Sequence, residues 1–194
     1  MKPVEADYDP QRVVIEAIQA GDAHAMAEFM ESQGRWVRGV VFGVLGRLSD
    51  LDDVCQRVWI KVWREGHRLE DPARWRPWLY RIARNAAMDA LRASRRRRRW
   101  FGPTIGDDPA IEVSVAGHSP APDRQLAMKE EHERMLTAIA QLPPLCREPF
   151  VLKHVEGWSY AEIGEVLGLP TDTVETRLVR ARRLLREGLA GRLG

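Results

Sequence analysis

The sequence has only two cysteines, Cys55 and Cys146, 91 positions apart, with no C-x-x-C pair and no nearby histidine. Zinc sites need closely spaced ligands and disulfide scaffolds need more cysteines, so both are excluded and buried structural thiols are expected. The five histidines (His24, His67, His118, His132 and His154) never fall four apart. No hydrolytic triad, glycine-rich phosphate loop or paired-carboxylate motif is present, so no catalytic residue, metal ligand or cofactor is nominated. Long apolar runs are missing as well. The longest, "VVFGVLG" from Val40 to Gly46, falls far short of the roughly 20 residues that span a bilayer. The opening "MKPVEADYDP" is mixed in charge and has no apolar core, so it is not a signal peptide, and the expected compartment is the cytosol. Alternating β-branched runs are few, and the expected fold is all-α.

Charge is present in quantity and is unevenly placed. The formal net charge is +2, yet residues 1–100 carry 19 Lys+Arg against 14 Asp+Glu. Residues 101–125 carry one arginine against four acids. After position 176, six arginines oppose Glu187 alone. Two basic surfaces separated by an acidic connector point to an extended polyanion as partner. The densest stretch is "ALRASRRRRRW", with six arginines in the eight residues Arg92 to Arg99. A solvated basic tail would explain the run by itself; a phosphate-binding element beside a base reader would explain it better.

The segment "FGPTIGDDPAIEVSVAGHSPAP" (101–122) has four prolines, three glycines and no helical period, and is expected to be a flexible acidic linker between two small helical domains. Helices are expected over Val13 to Ala20, His24 to Leu45, Leu51 to Trp63 and Pro77 to about Arg97. Beyond the linker they are expected over Asp123 to Gln141 and Leu145 to His154, with two more in the final stretch. Asp50, Asp52 and Asp53 suit the first turn of the third helix, where the helix dipole favours anions. Proline suits the first position of the fourth. Trp59 and Trp63 are expected to be core residues.

The most specific pattern lies near the C-terminus. Ser159 and Glu162 form an S-x-x-E capping box, Gly164 permits close helix approach, Gly168 turns the chain, and Val174 anchors a second helix: a helix-turn-helix. Val174, Leu178, Ala181 and Leu185 repeat on its inward face. Thr173, Thr176, Arg177, Arg180 and Arg183 lie opposite, combining small hydroxyls with guanidinium groups that grip guanine or phosphate. Glu175 either completes a cap begun by Asp172, the favoured reading, or accepts from cytosine N4. In the N-terminal half, "GHRLEDPARWRPW" sets Trp75 between Arg74 and Arg76, with Trp78 after them. Arg81, Asn85 and Arg92 follow on one helix face. Aromatic rings among arginines suit unstacked bases, and an amide can pair with a base edge. Arg95 and Arg96 begin the run that extends the basic surface beside such a site.

Three stretches in order, "DLDDVCQRVWIKVWRE", "WLYRIARNAAMDALRASRRR" and "LPPLCREPFVLKHVEGWSYAEIGEVLGLPTDTVETRLVRARRLLRE", resemble a bacterial sigma factor of the extracytoplasmic-function group of the sigma-70 family, over roughly residues 10–190. The resemblance implies a region 2 domain at 10–100, a linker at 101–125 and a region 4 domain at 126–190. It implies that Asp52, Asp53, Gln56 and Trp59 dock on the β′ clamp helices of core RNA polymerase. The His67–Trp78 loop and Asn85 would read the −10 element of promoter DNA. Thr176, Arg177 and Arg180 would read the −35 element. Further implied are a contact with the polymerase β flap, a linker threading toward the active-site cleft, and a cognate anti-sigma factor. Two departures stand out: Glu175 where relatives are often basic, and Arg57 where they often have glutamate. The function implied is a promoter-specificity subunit without catalysis. The alternatives are a helix-turn-helix repressor or activator with an N-terminal helical sensing domain, which leaves the Trp78–Arg97 stretch unexplained, and a nucleic-acid enzyme, for which no carboxylate cluster is available.

Overall fold

The computed structural model describes residues 10–101 and 123–190, and among them there are only helices, 3-10 turns and connecting loops. The N-terminal half comprises α1 (Pro10–Gln19), α2 (Ala23–Leu45), α3 (Leu51–Glu65) and α4 (Trp75–Phe101), with 3-10 turns at Gly66–Arg68 and Pro72–Arg74. The C-terminal half comprises α5 (Asp123–Gln141), α6 (Pro144–His154), α7 (Tyr160–Leu167) and α8 (Thr171–Ala190). The all-α expectation holds, with shifted ends. α1 starts three residues early, on a proline whose missing N–H costs nothing there. α4 starts at Trp75, so Pro77 is its third residue, still within the first turn, where backbone N–H groups lack intrahelical acceptors. Residues 102–122, expected to be the linker, lie outside the described residues.

α2 is the central element. Asp22 caps its start, accepting from the N–H groups of His24 (2.8 Å) and Ala25 (3.2 Å). Gly46, at φ +69°, ends it in the left-handed conformation. Phe29, Val37 and Val41 on α2 are fully buried with Val54, Val58 and Val62 of α3 and Leu79 and Ala83 of α4. Burial of this kind contributes about 1.5–3 kcal/mol per large side chain and drives the assembly. The third helix departs from expectation at its start: Asp52 and Asp53 occupy the first turn, but Asp50 makes no capping bond and pairs instead with Arg47 at 2.5 Å.

The two halves pack on each other through α2 and α6, and their buried side chains form one continuous cluster. On α2, Gly39 and Gly43 supply the room. A Cβ on Gly43 would sit 3.5 Å from the Val151 side chain, and one on Gly39 would meet Glu156 Oε1 at 2.5 Å. Glu156 Oε1 is fully buried without a hydrogen-bond partner. Burial pushes this carboxyl up to about 7, against the opposing pull of Arg35 and Arg76. Because the folded value lies above the ordinary 4.5, the group's contribution to stability is complete below about pH 4.5 and is lost as pH rises through 7. Urea unfolding of the wild type and Glu156→Gln at pH 5 and pH 8 checks this. The variant should gain on the wild type at pH 8, and an unchanged difference between the two pH values would contradict it.

Candidate nucleic-acid interface

Local chemistry builds the helix-turn-helix as the sequence indicates. Ser159 Oγ accepts from the Glu162 N–H (3.2 Å) while the Glu162 carboxylate accepts from the Ser159 N–H (2.8 Å), closing the capping box that starts α7. These bonds hold the Glu162 carboxyl below its usual range. Gly168 takes φ +66° at the turn. Gly164 lies against the loop: a Cβ there would be 2.7 Å from the carbonyl oxygen of Leu169. Since that obstacle is backbone, Gly164→Ala should lower unfolding free energy by about 1–3 kcal/mol, measurable by urea titration; a loss within error would show that the loop yields.

On α8, Val174, Leu178 and Ala181 are fully buried and Leu185 nearly so. This inward stripe turns Thr176, Arg180 and Arg183 to solvent, with Thr173 and Arg177 half-buried at its edges. The Thr176 hydroxyl donates to the Asp172 carbonyl (2.8 Å), and Arg183 reaches Glu187 at 3.3 Å in an exposed pair of the kind that contributes little. The cap favoured for Glu175 does not form: the N–H groups of Thr173 and Val174 go to the Pro170 carbonyl, and Glu175 is exposed.

In the N-terminal half, the segment before α4 is pinned from two sides. Asp71 accepts from the Ala73 N–H (3.0 Å), and the Gln19 amide of α1 donates to the carbonyls of Gly66 (3.1 Å) and Leu69 (2.6 Å). Arg74, Arg76, Arg81, Asn85, Arg92, Arg95 and Arg96 are exposed. Arg81, Asn85, Arg92 and Arg96 fall at spacings that keep them on one helix face. Arg92 also pairs with Asp89 at 2.9 Å. The tryptophans sit differently from expectation. Trp75 is 3% exposed and packs edge-on against Phe29 at 5.6 Å, with Arg76 5.6 Å from its ring; Trp78 is 8% exposed. Neither offers an open ring face here, because the apolar stripe of α4 begins with them. The arginine run is helical through Phe101. At 100° per residue, five consecutive arginines encircle the helix, so the run forms a collar with Ser94 on the buried side.

The four residues nominated for polymerase contact divide. Asp52, Asp53 and Gln56 are exposed, and Asp52 pairs with Arg38, whereas Trp59 is 9% exposed. Trp59 nonetheless floors an apolar groove of about 520 Å³ between α2 and α3, edged by Met30, Gln56, Ile60 and Trp63. Trp63 was expected in the core but is 43% exposed, as is Ile60 at 51%. The spacing of Gln56, Ile60 and Trp63 marks a second face on α3 beside the Val54–Val58–Val62 stripe, a signal the core reading passed over. Cys55 and Cys146 are buried free thiols, and burial raises the Cys55 thiol to about 11.

Comparison with known proteins places both halves. The family models "Sigma-70 region 2" and "Sigma-70, region 4" match residues 29–97 and 132–185. RNA polymerase sigma factor CnrH of Cupriavidus metallidurans is 32% identical over 95% of each chain. ECF RNA polymerase sigma factor SigW of Bacillus subtilis is 26% identical over 90% of this chain and 94% of its own. The probable RNA polymerase sigma factor RfaY of Xanthomonas campestris, 30% identical over 87% of this chain, is longer, and the chain spans 43% of it. The solved structure of CnrH in complex with the cytosolic domain of CnrY aligns with 94% of this chain and 99% of its own, at 25% identity and a TM-score of 0.66. With a capped helix-turn-helix in one half and an arginine-lined α4 in the other, this chain belongs to the extracytoplasmic-function group of sigma-70 RNA polymerase sigma factors.

Proposed function

We propose that the chain binds core RNA polymerase in the bacterial cytoplasm and directs it to promoters by reading a −35 and a −10 element. The observation that carries this reading is the pairing of two separate basic readers, α8 and α4, with an apolar groove that neither uses. Thr173, Thr176, Arg177, Arg180 and Arg183 on α8 enter the major groove of the −35 element, where guanidinium groups contact bases or phosphates. Arg74, Arg76, Arg81 and Asn85 take the −10 strand, and Arg92, Arg95 and Arg96 hold the adjoining phosphates. Trp75 and Trp78 support this surface from beneath in the closed chain; stacking on bases requires their release from the core. The α2–α3 groove, with Asp52, Asp53, Gln56 and Trp59, receives the polymerase clamp helices. The chain brings specificity and no chemistry of its own. CnrH has been captured with the cytosolic domain of CnrY, and an anti-sigma partner is expected here too.

The test is co-migration of the purified chain with core polymerase, followed by transcription from a library of promoter fragments. A complex that initiates at a shared two-part pattern supports the reading. DNA binding without polymerase binding overturns it in favour of a conventional regulator. Asn85→Ala should impair opening of the −10 region, followed by permanganate footprinting, more than closed-complex binding; equal losses would remove Asn85 from its role.

A further inference from the structure

The contact between the two halves is more than apolar packing. Arg147, on α6, is 5% exposed and has no carboxylate partner. Its guanidinium donates instead to four carbonyls: Gly43 (2.8 Å) and Val44 (3.0 Å) at the end of α2, and Ala140 (2.6 Å) and Leu142 (3.3 Å) at the end of α5. One cation therefore joins the negative ends of two helices, one from each half. Gly46 makes the approach possible, since a Cβ there would collide with the guanidinium. Beside it, Glu148 of α6 accepts from the Tyr80 hydroxyl (2.5 Å) and from Arg84 Nε (2.7 Å), both on α4. Trp158, after α6, stacks on Trp36 of α2 at 6.0 Å.

The same packing reaches the −10 surface. A cleft of about 670 Å³ formed by Arg68, Arg74, Trp78 and Arg81 is walled on its far side by Glu165 and Val166 of α7. Glu165 holds Arg74 at 2.9 Å, supplying the anion where a phosphate would sit. The readers are also too close together. Elements at −35 and −10 lie about 25 base pairs apart, on the order of 85 Å along the duplex at 3.4 Å per pair. A compact chain of this length has a radius of gyration of about 16 Å, hence a diameter of about 40 Å.

Resting on the promoter-reading function above, we propose that the α2–α6 contact, bolted by Arg147 and by the Tyr80–Glu148–Arg84 cluster, is an intramolecular latch that holds the free chain in a closed form unable to engage both elements. Polymerase and promoter binding part it. The bolts are polar and ionic, and water solvates them once they separate. Such a contact opens at lower cost than an apolar one of equal area, because the desolvation of Arg147 and Glu148 is recovered.

Small-angle scattering of the full chain, with circular dichroism to confirm folding, tests the latch. The wild type should be compact, near 16 Å. Glu148→Arg, which sets a cation against Arg84, should expand it by at least about 5 Å. Arg84→Glu should do the same from the other side, and joining the two exchanges should restore compaction. Should Glu148→Arg fail to fold, Arg84→Glu, at a half-exposed position, carries the test. An expanded wild type, or single variants as compact as the wild type, overturns the latch. The association rate with core polymerase should rise at least threefold in the expanded variants, and an unchanged rate in a chain that has expanded also overturns it. If no variant binds polymerase, the promoter-reading function fails, while scattering still judges whether the halves are latched.

Discussion

Alanine at Arg180 should weaken binding to a −35 duplex by about 10- to 100-fold, the equivalent of one bidentate guanine contact at about 1–3 kcal/mol. Association with core polymerase should be untouched, because Arg180 lies on the outer face of α8, opposite the buried Val174–Leu178–Ala181 stripe. Arg177→Ala should show the same selective loss, although its half-buried position adds a packing cost that Arg180 does not have. The salt dependence separates base reading from phosphate clamping. Loss of a phosphate contact lowers the slope of log affinity against log salt by about 1, whereas loss of a base contact relaxes discrimination at one position of the site. Fluorescence anisotropy over a salt series, with wild-type and single-substitution duplexes, gives both numbers. If polymerase association falls in parallel with duplex binding, α8 is not a dedicated DNA reader.

Arg147→Ala should be the most damaging single change to stability, lowering unfolding free energy by about 3 kcal/mol. A hydrogen bond from a charged donor is worth about 1.5–3 kcal/mol net, and Arg147 makes four to carbonyl oxygens, less the cost of keeping the cation out of water. Burial already pulls its ionisation below the arginine norm, yet a guanidinium stays charged at any working pH, so the loss should not depend on pH between 6 and 9. That separates it from Glu156→Gln, whose effect is pH-dependent. Arg147→Lys should recover only part of the loss, since one ammonium cannot reach carbonyls on two helices as a planar fork does. Chemical denaturation of the three proteins decides the matter. A lysine variant as stable as the wild type would mean that charge alone, without the fork, holds the two helix ends.

Much of this was legible in the sequence where a residue's role is local. The capping box at Ser159, the turn at Gly168 and the inward stripe of α8 depend on neighbours within a few positions, and each stands as its spacing indicates. The arginine-rich face of α4 follows from helical periodicity in the same way. What escaped depends on distant partners. Trp75 looks like a base platform among its arginine neighbours, but Phe29, 46 positions earlier, claims its ring. Trp63 looks like core until the Val54–Val58–Val62 stripe fills the inward face of α3 and leaves it outside. The packing of the halves could be sensed only in the small residues Gly39, Gly43 and Gly46. No rule of spacing ties those glycines to Val151, Glu156 and Arg147, more than a hundred positions on.

The Gln19 side chain gives the N-terminal helix an indirect stake in DNA opening. α1 displays none of the DNA-reading residues, yet its last residue grips the carbonyls of Gly66 and Leu69 on either side of the 3-10 turn that leads into the arginine loop. A deletion that spares every reader and removes α1 would leave that loop tethered only at Asp71 and α4. The protein would still find promoters and would melt them poorly, a phenotype easily mistaken for a damaged DNA contact.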